Sequence, residues 1–172
     1  KKFDSTKKIE KADLDFLKEA IRLSVSSYGL QPYQILIIEN PFVKEAIKNA
    51  AYNQSQITDA SHLFVFANYV NFTAQHIDQY IENTATTREI DSQNIQGYGD
   101  FMKRTLLNQS TEDLNIWSAK QTYIALTNLV NAAAERKIDV TPMEGFVSDQ
   151  VNSILDLNSK NLNAVLIAPA GF

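Results

Sequence analysis

The chain contains no cysteine, which excludes disulfides, thiolate nucleophiles and cysteine-ligated zinc. Histidine is almost as scarce. His62 opens an apolar stretch and His76 lies in a polar helical one, placements that suit packing better than general-base chemistry. Neither belongs to a His-Glu-x-x-His pair, no EF-hand loop occurs, and no Gly-x-Ser-x-Gly elbow supports a hydrolase. The five glycines (Gly29, Gly97, Gly99, Gly145 and Gly171) are scattered. They form neither a dinucleotide fingerprint nor a P-loop, so a nucleotide-type ligand would have to be gripped by another route. No apolar run approaches the roughly 20 residues of a membrane span; the longest, 63–66 and 164–168, have the length of strands. A net charge of −4 gives no basic excess for nucleic acid. The acids between Asp78 and Asp91 alternate with Asn, Thr and Arg and read as a solvated helix face rather than a metal site. A cysteine-free acidic chain of this kind suits the cytoplasm.

What is present fits one globular domain over 1–172. At that length roughly two thirds of the unfolded surface can be buried, and the apolar content of 44% is ordinary for a folded protein. Residues 11–23 carry Leu14, Phe16, Leu17, Ala20, Ile21 and Leu23 at helical spacing. After a break over 24–29, residues 32–39 read as a β-branched strand, and Asn40-Pro41 is a helix start with its cap. Residues 61–69 are apolar throughout their middle, as a strand covered on both faces would be. Polar helical stretches follow over 73–83, 84–95 and 101–107, and Ser110 with early acids caps the next helix. That helix, 114–136, carries apolar residues nearly all the way round. In a chain this small such a pattern predicts a central helix shared with another subunit. Residues 138–140 form a short strand, 151–157 a small helix and 163–169 a last apolar strand. Strands separated by helices indicate a three-layer α+β arrangement.

Three separated segments, in order and suitably spaced, are similar to the FMN-dependent nitroreductase family. Ser24-Val-Ser-Ser-Tyr-Gly-Leu-Gln-Pro-Tyr33 resembles that family's Ser-Pro-Ser-Ser-x-Asn-x-Gln-Pro-Trp loop. Tyr52-Asn-Gln-Ser-Gln-Ile-Thr-Asp-Ala-Ser-His62 resembles its Asn-x-x-Gln/Lys stretch before a buried strand. Thr141-Pro-Met-Glu-Gly-Phe146 resembles its Pro-Ile/Met-Glu-Gly-Phe. Between them, Trp117-Ser-Ala-Lys-Gln-Thr-Tyr123 is similar to the start of its long interface helix.

The resemblance implies a three-layer α/β/α sandwich with a mixed central sheet and a long buried dimer-interface helix. It also implies a homodimer that passes hydride from NADH or NADPH through FMN to a nitroaromatic, quinone or pteridine-type acceptor by a ping-pong route. Flavin cleavage, dehalogenation, or flavin binding without turnover on the same fold are the alternatives. No side chain need act as nucleophile, because the cofactor carries the redox chemistry. Cofactor contacts are expected at Lys1, Ser26, Ser27, Asn53, Gln56, Pro142, Met143, Glu144 and Gly145, and substrate contacts at Tyr28, Tyr98 and Phe101. The backbone amides at Glu144-Gly145 would face flavin N5, although a glycine needed only for a turn would serve the sequence equally. Asn53 offers both a donor and an acceptor to the pyrimidine edge, but is equally apt as a helix C-cap. Gln56 stands where many relatives have Lys; Lys1, if not an ordinary surface residue, would supply charge instead. Ser26 and Ser27 could be simple turn residues, and Tyr98 and Phe101 simple packing. In the family, basic segments before the position of Lys1 and after the last strand hold the FMN phosphate. Both ends of the chain are therefore expected to be cut short of those segments.

Overall fold

The computed structural model describes residues 2–172; the expectation for Lys1 lies outside them. The elements follow in order as α1 (Lys11–Arg22), β1 (Tyr33–Ile38), α2 (Pro41–Ala50), α3 (Gln56–Asp59), β2 (His62–Tyr69), α4 (Ala74–Arg88), α5 (Gln96–Leu106), α6 (Thr111–Glu135), β3 (Asp139–Val140), α7 (Ser148–Ile154) and β4 (Leu162–Gly171). The caps read from sequence are made: the Asn40 side chain accepts from the amides of Phe42 and Val43, and Ser110 Oγ accepts from Asp113.

The sheet order is β1-β2-β4-β3, and every pairing is antiparallel. This corrects the expectation of a mixed sheet, and the reason is topological. β2 and β3 run in the same direction, but β4 inserts between them and opposes both. The α+β layering itself is as expected. Phe64 and Phe66 of β2 point to α1 and α6, packing with Leu17, Ile21, Ala125 and Leu129. Leu63, Val65 and Ala67 point the other way, to Ile47, Ala50, Ile57 and Val151 of α2, α3 and α7. β2 is thus buried on both faces, which explains its unbroken apolar run. Opposite Phe66/Ala67 the register slips by one residue, so Leu162 and Ala164 share a face with Ile167 despite the odd spacing. A third cluster, including Ile77, Ile81, Met102, Leu106 and Leu114, joins α4 and α5 to the start of α6.

α6 is covered by its own chain on one side. One face packs on the core through Leu114, Ser118, Gln121, Ala125, Leu129 and Ala132. The opposite stripe stays exposed, with Ile116 at 46% and Tyr123 at 41%, continuing through Thr127, Asn131 and Ala134.

The N-terminal segment is fastened across the sheet's end. Phe3 and Ile9 are buried, Asp4 N donates to Phe172 O, and Ile9 N donates to Ser61 Oγ at 2.9 Å. Glu39 Oε1, 3.1 Å from His62 Nε2, can only accept, which assigns the proton of the neutral ring to Nε2 and leaves Nδ1 to accept from the Ser61 hydroxyl at 2.9 Å. Burial pushes the His62 imidazole below its ordinary value; Glu39 opposes this, while Lys44 and Lys8 reinforce it. Burial also lowers His76. Both imidazoles resist protonation when folded but take up a proton near pH 6.5 when unfolded. The unfolded chain then binds more protons as pH falls through that value, and stability declines. Urea unfolding should give a lower free energy at pH 5 than at pH 7, with the loss beginning near pH 6.5; a flat profile over that window contradicts this burial of neutral histidines.

Candidate functional site

Beyond β3 the chain runs along β4: Met143 N donates to Ile167 O and Ile167 N returns the bond to Met143 O. Met143 is buried beneath this ladder and Pro142 is exposed above it. Phe146 N then donates to Glu144 O, and Val147 N reaches Ala50 O at the end of α2. The amides of Thr141, Met143, Phe146 and Val147 thus all have protein acceptors. Those of Glu144 and Gly145 have none among the described residues, and both residues are exposed. Two consecutive free donors between satisfied neighbours make a place for a ligand's acceptors.

Gly145 can be tested against the turn alternative. Its φ lies outside the left-handed region, and an added Cβ would meet nothing nearer than Gln54 Nε2 at 3.6 Å. The turn does not need glycine there. The space is open to something outside the chain.

The segment carrying Asn53 borders this turn. Ala51 N and Asn53 N both donate to Lys48 O, and Tyr52 and Asn53 adopt φ of 54° and 58°. Asn53 therefore does close α2, and the left-handed conformation is one Asn tolerates. Its side chain remains exposed, with no hydrogen bond among the described residues. Gln54 Nε2 donates to both Ala51 O (3.1 Å) and Gly145 O (2.9 Å), which draws the two segments together. Gln56 opens α3, half-buried, and offers a neutral amide. From α6, the Tyr123 hydroxyl donates to Glu144 Oε1 at 2.8 Å. Burial first, and then this carboxylate, raise the Tyr123 phenol above its ordinary value, so it stays a donor at neutral pH.

Ser26, Ser27 and Tyr28 form a second group. Asn128 of α6 donates to Ser24 Oγ, Ser27 N donates to Gln121 Oε1, and Gln31 N donates to Ser26 Oγ. Tyr28 and Gly29 take φ of 58° and 75°, and a Cβ on Gly29 would come within 2.9 Å of Tyr80 Oη, so glycine is required here. The Tyr28 ring lies 6.5 Å from Tyr98 and 6.3 Å from Phe101, both exposed. The three aromatic residues expected at the substrate are thus gathered, with the two serines beside them.

No hydrogen bond or ring contact joins the two groups among the described residues. Tyr123 holds the Glu144 group and Gln121 the Ser27 group; two positions along a helix turn it by roughly 200°, so the two contacts leave α6 on different sides. Gln54, Gln121 and Tyr123 were not picked out in the sequence as site residues. Gln54 lay between two that were, and the other two stood inside the helix segment already matched. No group of three or more His, Asp or Glu among the described residues could hold a metal, and no described helix is long and apolar enough to cross a membrane.

Comparison with known proteins places the chain in a family. The model of the nitroreductase family matches residues 1–172. YfkO of Bacillus subtilis, whose naming as an NAD(P)H nitroreductase is itself provisional, is 33% identical over 166 residues, covering 91% of this chain and 74% of its own. The similarly named SH0546 of Staphylococcus haemolyticus is 36% identical over 165 residues, covering 90% and 73%. Among solved structures, YdfN of Bacillus subtilis superposes with a TM-score of 0.88 at 20% identity, over 99% of this chain and 81% of that one. A provisionally named nitroreductase from Exiguobacterium sibiricum, solved in complex with FMN, superposes with a TM-score of 0.84 at 20% identity, over 99% and 81%. With the family model spanning its whole length, this chain belongs to the nitroreductase family.

Proposed function

We propose that the chain is an NAD(P)H-dependent FMN oxidoreductase. The observation that carries this reading is the pair of unpartnered amides at Glu144 and Gly145. A flavin ring presents acceptors along one edge, and two adjacent exposed N–H donors beside an open glycine fit that edge. The relatives' names as NAD(P)H nitroreductases and the FMN in the Exiguobacterium structure support the same choice. Pro142 and Met143 set the level of this edge through the ladder to Ile167. Asn53, free at its side chain, is placed to pair with the pyrimidine, and Gln56 adds a neutral donor there. When bound, FMN supplies hydride acceptance and donation at N5. The protein binds and orients: Tyr28, Tyr98 and Phe101 form an apolar wall for whatever stacks on the ring, the nicotinamide first and then a nitroaromatic, quinone or pteridine-type acceptor. One wall serving both partners in turn is the basis for a ping-pong order.

The site is completed by a second copy of the chain. Ser26 and Ser27 leave α6 on a different side from Glu144-Gly145, so one protomer does not bring both groups to a single ring. The exposed stripe of α6, from Ile116 through Tyr123 to Ala134, offers the face on which two copies meet.

The purified full-length protein with FMN should be yellow and turn over NADH or NADPH with a nitroaromatic or quinone as acceptor. Parallel double-reciprocal plots are expected; a colourless protein that ignores added FMN overturns the reading. Sedimentation at micromolar concentration should give twice the chain mass, and a stable monomer contradicts the shared site.

A further inference from the structure

The two free amides sit in a stretch with no regular secondary structure, and Gly145 has open space around it. Left alone, such a glycine samples many backbone conformations. Side chains from two rigid elements hold it. Gln54 Nε2 is fixed at the end of α2 by Ala51 O and from there donates to the Gly145 carbonyl at 2.9 Å. Tyr123, rooted in α6, donates its hydroxyl to the Glu144 carboxylate at 2.8 Å, a charge-assisted bond stronger than a neutral one. Between these two anchors, Glu144 O accepts from Phe146 N at 2.9 Å. The Glu144–Gly145 peptide is therefore restrained before, within and after the plane that carries the Gly145 donor.

We propose that Gln54 and Tyr123 are positioning residues, which clamp the Glu144 and Gly145 amides at the angle they present to the flavin edge. The inference rests on the flavin reading above. Donors fixed in advance need no reorganisation as charge shifts in the ring, and a small misplacement at the reacting centre is costly in rate. Both side chains are committed to bonds with the Glu144–Gly145 segment, so loosening the clamp should slow flavin reduction more than it weakens FMN binding.

The test compares the unmodified full-length protein with Tyr123→Phe and Gln54→Ala, both at partly exposed positions where a folded variant is expected. In anaerobic stopped-flow reduction by NADH or NADPH, each variant should lower the limiting rate by about tenfold. The FMN dissociation constant and the nicotinamide concentration at half-saturation should stay within about threefold. In the FMN-free proteins, hydrogen exchange at Phe146, whose amide bonds Glu144 O across the clamped peptide, should quicken in both variants while exchange in β4 is unchanged. The double variant should lose less than the product of the single losses, since both act on one peptide. An unchanged limiting rate in flavin-loaded Tyr123→Phe, or FMN affinity falling in step with rate, overturns the clamp alone. An unmodified protein that binds no FMN overturns the clamp and the flavin reading together.

Discussion

The pairing of Met143 with Ile167 is the contact from which the site is built. β4 is buried and central, so a segment laid against it inherits a fixed height and direction. The two bonds between Met143 and Ile167 satisfy Met143 and bring the chain to the sheet's end with its next two amides facing outward. Phe146 drops back into the core and Val147 ties to the end of α2, so the turn is held on both sides. A backbone cannot ordinarily leave donors unmatched at no cost. Here exposure to water keeps that cost low, and the same exposure leaves the donors available.

α6 sets the second constraint. It is long enough to touch both groups, with Gln121 and Asn128 steadying the loop of Ser26 and Ser27 and Tyr123 reaching Glu144. Because these side chains leave the helix in different directions, one element organises two half-sites that do not meet within a protomer. The exposed stripe and the divided site both fit the proposed pairing of two copies along this helix. The α4–α5 pair, packed on the start of α6, brings Tyr98 and Phe101 up to Tyr28.

Much of this was legible in the sequence where the signal is local. Asn40-Pro41 and Ser110 announced their helices, and the run from Leu63 to Phe66 announced a strand covered on both faces. Glu144-Gly145 and Asn53 were singled out only through the resemblance of their segments to family motifs. Sheet direction was not legible, because the insertion of β4 between β2 and β3 is decided by segments far apart in the chain. The apolar residues of α6 go nearly all the way round, but apolar content does not say which of its faces its own chain covers. Gln54 and Tyr123 stood inside matched segments without a role of their own, since the atoms they bond, the Gly145 carbonyl and the Glu144 carboxylate, arrive only with the tertiary fold.

The central claim is that the amides of Glu144 and Gly145 are the donors that meet the flavin edge. It is tested most directly by following backbone amide resonances of the isotope-labelled full-length protein during FMN titration. The account predicts large downfield proton shifts at Glu144 and Gly145 as both gain an acceptor, with much smaller changes at Met143 and Phe146, whose amides are already bonded. FMN binding that leaves Glu144 and Gly145 unmoved while other amides shift would contradict it.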